Sequence, residues 1–169
     1  MFPIIDVRGN VIGFGGRVMD DSTPKYLNSP DTPVYNKSRN VFALNIAKKS
    51  KSKRYILCEG YMDVIAMHEA GFDTAVCACG TALTAEQAKL LSEYADEVVL
   101  SYDSDEAGQK ATERSLGIMA NTPMKVSVLS YQGAKDPDEF IKKYGRERFE
   151  MLLNGTANPT EFQLKKAKA

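Results

Sequence analysis

The sequence predicts an α/β fold: a mostly parallel sheet of about four strands with helices on both faces, preceded by a small basic β-hairpin and loop subdomain. Three observations predict it. From residue 54 onward, short apolar runs alternate with helical stretches, the order that builds a parallel sheet covered on both sides. The apolar runs are nearly continuous, as buried strands are, with no alternating polar face. Acidic clusters follow two of these runs directly: Glu59 to Asp63 after Tyr55-Ile56-Leu57-Cys58, and Asp103-Ser104-Asp105 after Val98-Val99-Leu100-Ser101-Tyr102.

Taken in order, Phe2 to Val7 and Val11 to Met19 read as a hairpin around Arg8-Gly9-Asn10. Glycines 13, 15 and 16 mark where its backbone comes close to something else. Residues 20–40 read as loop, punctuated by Pro24, Pro30 and Pro33. Val41 to Lys49 reads as a short helix, and the basic stretch Lys48 to Arg54 as a boundary. The expected organisation is therefore a basic subdomain over 1–53, an α/β domain over 54–155 and a polar tail over 156–169. Within the α/β part, strands are expected at 54–58, 74–78, 97–102 and 125–129. A helix from about Met62 to Ala70 is stopped by Gly71. Another opens on the capping box Thr84-Ala85-Glu86-Gln87, and a third spans about 106–120. Two short helices, 139–144 and 146–153, close the pattern. His68 is expected to face solvent or its helical neighbours.

Composition narrows the possible functions. Hydrophobic residues make up 43% and charged residues 26% of 169 residues, ordinary for a globular protein. No apolar run approaches a membrane span, and no membrane partner is expected. Cys58, Cys77 and Cys79 sit inside apolar runs and read as buried thiols of a reducing compartment. With Cys77 and Cys79 spaced C-x-C and His68 the single histidine, no zinc is expected in this segment. The formal net charge of zero hides an asymmetry: residues 1–54 carry ten Lys/Arg against four Asp/Glu, and residues 55–169 carry twelve against eighteen. A basic lobe beside an acidic pocket suits a polyanionic substrate; a solvated basic face fits the charge equally well.

Acids at the ends of parallel strands lie at the mouth where α/β sheets bind ligands. Any one of them also fits a helix N-cap or first-turn position. The set points further. Glu59 and Asp63 span a strand-to-helix turn, Asp103 and Asp105 point the same way in extended backbone, and Asp136-Pro137-Asp138 repeats the D-x-D spacing after the fourth strand. Carboxylates sharing one mouth repel each other unless a cation joins them. An oxygen-only donor set selects Mg²⁺ or Mn²⁺, one or more ions. A pair of ions about 3.5–4 Å apart would clamp both oxygens of a phosphoryl transfer. Glu59 is alternatively placed to act as general acid or base.

Glu59-Gly60-Tyr61-Met62-Asp63, followed by Asp103-Ser104-Asp105-Glu106-Ala107-Gly108, resembles the Toprim domain shared by primases, topoisomerases and some nucleases. The stretches Arg8 to Arg17, Pro24-Lys25-Tyr26-Leu27-Asn28-Ser29-Pro30 and Gly80-Thr81-Ala82-Leu83-Thr84 are similar to the catalytic core of bacterial DnaG-type DNA primases, and the likeness runs from Phe2 to about Leu153. The resemblance implies that Glu59, Asp103 and Asp105 are central catalytic and metal-site acids, completed by Asp63, Asp136 and Asp138. It implies that Arg17, Lys25, Tyr26 and Asn28 bind template or nucleotide phosphates. Gly80-Thr81, ahead of a helix, are placed to offer backbone N–H groups to phosphate, and fit an ordinary strand-to-helix turn equally well. The implied reaction is metal-dependent nucleotidyl transfer: joining ribonucleoside triphosphates into an RNA primer on a single-stranded DNA template, in the bacterial cytoplasm at the replication fork, beside a replicative helicase contacted through a region absent here. Ser104 departs from the family, which usually has glycine between the paired aspartates. Family enzymes also carry a zinc-binding domain, earlier polymerase-core residues and a helicase-binding domain beyond this segment. A fragment that binds metal and nucleic acid yet is inactive alone is therefore an alternative. So is another Toprim enzyme of nuclease or topoisomerase type, against which the 25–28 stretch and the hairpin argue. A phosphoacceptor receiver domain would lack the basic lobe.

Overall fold

The computed structural model describes residues 1–168. Strands β1 (Phe2–Ile5), β2 (Val11–Arg17) and β3 (Tyr26–Asn28) form an antiparallel sheet in that order. The β1–β2 turn is built by Asp6, whose Oδ1 accepts the N–H groups of Arg8 and Asn10 at 2.9 Å each, with Gly9 at φ 98°. β3 lies within the stretch expected to be loop. It pairs Tyr26 with Arg17 and Leu27 with Gly16, so the motif runs along a strand.

The second sheet has five strands, in the order β4 (Val41–Phe42), β6 (Ala75–Ala78), β5 (Arg54–Cys58), β7 (Glu97–Ser101), β8 (Lys125–Val128). The last four are mutually parallel, as expected; β4 joins antiparallel to β6. The expected helix over 41–49 is corrected here to this short strand and the single-turn helix α1 (Leu44–Ala47). Val41 and Phe42 are β-branched and aromatic, and the open edge of β6 supplies the ladder partners that a helix would have to forgo.

The strands are buried on both faces with a period of two. Tyr55, Leu57, Val98 and Leu100 face one core with α3 (Ala85–Ser92) and α4 (Glu106–Met119), while Ile56, Cys58 and Val99 face the other with α2 (Tyr61–Glu69) and α5 (Pro137–Asn154). Each large apolar side chain so enclosed contributes roughly 1.5–3 kcal/mol over an exposed one. Helix α5 kinks at Gly145, φ 83°, which reconciles it with the two shorter helices expected there. Residues beyond 155 are more than a polar tail. Ala157 exchanges backbone hydrogen bonds with Val128 at 2.8 and 3.1 Å, and helix α6 (Pro159–Lys168) follows. His68 is tethered, its Nε2 2.9 Å from the Ala75 carbonyl oxygen.

The small sheet is fastened over one end of the large one. Phe2, Phe42 and Tyr61 form an aromatic seam with ring centroids 4.8–5.7 Å apart. Gly15 allows it: a Cβ there would lie 2.2 Å from the Phe2 ring. Gln87, wholly buried, completes its capping box with Thr84 and donates from Nε2 to the carbonyls of Lys37 and Asn40 at 2.9 and 2.8 Å. One side chain thus caps α3 and pins the loop that carries the small sheet.

Candidate functional site

The strand order places a topological switch point between β5 and β7. The chain leaves β5 for α2 on one face and leaves β7 for α4 on the other, which opens a crevice at the carboxyl ends of these neighbours. Glu59 and Asp103 flank it, and the Asp103 backbone N–H donates to Glu59 Oε2 at 3.2 Å. The third acidic loop folds onto the second: the Ser104 N–H and hydroxyl both donate to the Lys135 carbonyl, at 2.8 and 3.2 Å. The serine between the aspartates thereby ties two acidic loops together.

The resulting cavity, of 980 Å³, is lined by Glu59, Asp63, Asp103, Asp136 and Asp138 on the sheet side and by Arg17, Lys25, Tyr26 and Asn28 of the small sheet, with Gly80 between. Two residues singled out in the sequence lie outside its lining. Asp105 is the N-cap of α4, accepting the Gly108 N–H at 2.8 Å. Thr81 lines an adjoining cavity of 350 Å³ that also reaches Glu59. Asp136 caps α5 through the Glu139 N–H at 2.8 Å, so it serves its helix and the cleft together. Lys135, Lys142 and Lys143 also line the large cavity. The sequence reading did not assign them, although the Asp138–Lys142 spacing of four on one helix is a legible pairing signal; their N···O distance is 2.6 Å.

The acids perturb one another. Burial first, then the charges of Glu59, Asp63, Asp136 and Asp105, pushes the Asp103 carboxyl up to about 7. Burial raises Asp63 to about 6; the Gly60 N–H, at 3.0 Å, opposes this, and Asp136, Glu59 and Asp138 add to it. Without a counter-charge, then, Asp103 gives up its proton only near neutrality and Asp63 about one pH unit lower, both well above an ordinary carboxylate. Among the described residues no group of three or more His, Cys, Asp or Glu side chains is gathered closely enough to hold a metal ion by itself. An open, all-oxygen wall is what Mg²⁺ or Mn²⁺ needs when most of its ligands are water and substrate phosphate, and the donor set fits such an ion.

On the opposite wall, Arg17 lies 6.0 Å over the Tyr26 ring, and neither Arg17 nor Lys25 forms an ion pair among the described residues. Gly80, at φ 71°, lets Asn28 come close, since a Cβ there would lie 2.1 Å from Asn28 Nδ2. The Asn28 Oδ1 is buried without a partner. Cations without carboxylate partners therefore face protonatable carboxylates across one cleft.

This combination has relatives. The Toprim-like family matches residues 56–141, and the family described as the N-terminal domain of the DNA primase catalytic core matches residues 1–48. A DNA primase of Clostridium acetobutylicum is 45% identical over 99% of this chain, and the match spans 28% of that protein. The crystal structure of the Aquifex aeolicus primase, comprising zinc-binding and RNA polymerase domains, superposes with a TM-score of 0.90 at 40% identity, covering 98% of this chain and 42% of that one. The RNA polymerase domain of Mycobacterium tuberculosis primase, in complex with double-stranded DNA bearing a 6-nucleotide overhang, gives 0.83 at 31% identity, over 98% and 56%. No helix among the described residues is long and apolar enough to cross a membrane.

Proposed function

Since the chain belongs to the family of bacterial DNA primase catalytic cores, uniting part of their N-terminal domain with a Toprim-like domain, we propose that its cleft performs metal-dependent nucleotidyl transfer, joining ribonucleoside triphosphates into an RNA primer on single-stranded DNA. The observation that carries this reading is the facing of Arg17 and Lys25, free of carboxylate partners, against Asp63 and Asp103 across one cavity. The cations hold phosphates of nucleotide and template, and Tyr26 offers a ring face for stacking. Asp63, Asp103, Asp136 and Asp138 would hold a divalent cation, which when bound neutralises the phosphate charge gathered there. Asp105 supports this wall through the α4 cap.

In the reaction, the 3′-hydroxyl oxygen of one ribonucleotide forms a bond to the α-phosphorus of the next. The bond from that phosphorus to the bridging oxygen breaks, pyrophosphate leaves with the electron pair, and the hydroxyl proton passes to the Glu59 carboxylate. Glu59 suits this role because its side chain stands at the crevice, engaged by the single 3.2 Å bond from Asp103. In the whole protein, a replicative helicase is the proposed partner through regions outside this chain.

Charge reversal tests the groove. Lys25→Glu should weaken binding of a fluorescent single-stranded DNA oligonucleotide by about tenfold or more at low salt, and lower the slope of log affinity against log salt by about 1 or more, as loss of a phosphate contact requires. Anisotropy titrations across a salt series measure both. Equal binding at low salt would remove Lys25 from the groove.

The match spans only 28% of the Clostridium relative, and this favours a second reading in which the chain binds cation, nucleotide and template while synthesis needs further segments. Binding without any primer product would select it.

A further inference from the structure

We infer that the 350 Å³ cavity on the far side of Glu59 seats the 3′-terminal ribonucleotide of the growing strand, with Arg114 as its positioning residue. The inference rests on the nucleotidyl-transfer reading and assigns that site its second substrate. Joining two nucleotides requires them on opposite sides of the transferred phosphorus, attacking and leaving oxygens in line. Glu59 lines both cavities, the 980 Å³ one walled by α2 and α5 from one face of the sheet and the 350 Å³ one by α4 from the other. The large cavity combines the carboxylate wall with Arg17, Lys25, Lys135, Lys142 and Lys143, a density of cations suited to a triphosphate.

The small cavity differs in chemistry. Arg114 is its single cation, and its other walls are the Gly80–Leu83 turn, Tyr102 and the small residues Ala107 and Ala111. Arg114 is exposed on α4 and forms no hydrogen bond, ion pair or ring contact among the described residues. The Tyr102 hydroxyl is already satisfied by Ser115 Oγ at 3.0 Å, so the guanidinium is not needed to complete the packing. One unpaired cation matches the single charge of a phosphodiester. Ala107 and Ala111 lie one turn apart on α4, with Arg114 one turn further, and their small side chains leave space for a ribose and base. A 3′-hydroxyl held there faces Glu59, the proposed proton acceptor, from the side opposite the triphosphate.

The test uses the whole chain with Mn²⁺ and a short RNA, annealed to a DNA template and ending in 4-thiouridine, as a photo-crosslinking probe. Cross-links mapped by mass spectrometry should fall within residues 80–83 or 107–115. Arg114→Glu should weaken binding of the unmodified primer–template about tenfold while Mn²⁺·ATP binding stays unchanged, and Arg114→Lys should recover most of the loss. Cross-links confined to Tyr26 and the Lys135–Lys143 side, or primer–template binding untouched by Arg114→Glu, would overturn the subsite. If the unaltered chain fails to bind Mn²⁺·ATP at all, the nucleotidyl-transfer reading itself fails and the subsite with it; that result is separate from a loss confined to the primer–template.

Discussion

Asp103→Asn should abolish most binding of the proposed divalent cation while leaving the metal-free fold as stable or more so. The Asp103 carboxyl is raised to about 7 from an ordinary 3.8, chiefly by burial and then by Glu59 and the neighbouring aspartates. The folded chain therefore holds that proton more tightly than the unfolded chain does. Its stabilising effect is complete below the unfolded value and is lost as pH rises through about 7. Asp63, raised to about 6, adds to the same decline. Above that window the crowded, ionised acids oppose folding, and a bound cation offsets the repulsion.

In the metal-free wild type, Tm should fall between pH 5 and pH 8 and recover when Mn²⁺ is added. Asparagine cannot ionise, so the variant should show a flatter profile and a weaker Mn²⁺ response. Its Mn²⁺ affinity should fall by more than about tenfold, since even removing a group that only supports a metal ligand costs 10–100-fold. Scanning fluorimetry with and without Mn²⁺, with calorimetric titration at pH 7.5, measures both quantities. Undiminished Mn²⁺ affinity in the variant would remove Asp103 from the metal site.

The second large effect is expected at Gly108. By propensity alone, glycine to alanine in a helix gains up to about 1 kcal/mol. At Gly108 a Cβ would sit 2.1 Å from the Asp103 carbonyl oxygen and 2.7 Å from its carbonyl carbon. These are backbone atoms, and no side-chain rotation can move them away. Either α4 shifts, breaking the 2.8 Å cap from Gly108 to Asp105, or the Asp103 loop moves off Glu59. Overpacking of this kind costs about 1–3 kcal/mol, which outweighs the propensity gain. Gly108→Ala should therefore be destabilised and lose Mn²⁺ binding. Gly117→Ala, in the same helix with nothing within 4 Å of its Cβ, should be stabilised. Urea unfolding of the pair decides the matter. Equal, benign behaviour would mean that the turn after β7 is looser than these contacts describe.

The elements and their faces were legible where neighbouring residues decide them. The apolar runs at 54–58 and 97–101 alternate between two cores with a period of two, and Thr84 with Gln87 announces the start of α3. The helix-cap role open to any acid after a strand is also local, and Asp105 and Asp136 do fill it. The edge strand β4 and the strand β3 were not legible, because two or three residues carry no period and their hydrogen-bond partners lie far along the chain. By itself, then, the sequence determined the parallel α/β layering and the acids at the strand ends, each written in residues within a few positions of each other, and the resemblance to primase cores, carried by the order of such short motifs from Phe2 to about Leu153. Only the tertiary structure decided which acids face a common cavity, that Lys135, Lys142 and Lys143 join them, that Asp103 and Asp63 are pushed upward, and that Glu59 divides two cavities. Burial and charge act through space, and they sum over residues that only the parallel pairing of β5 with β7 brings together.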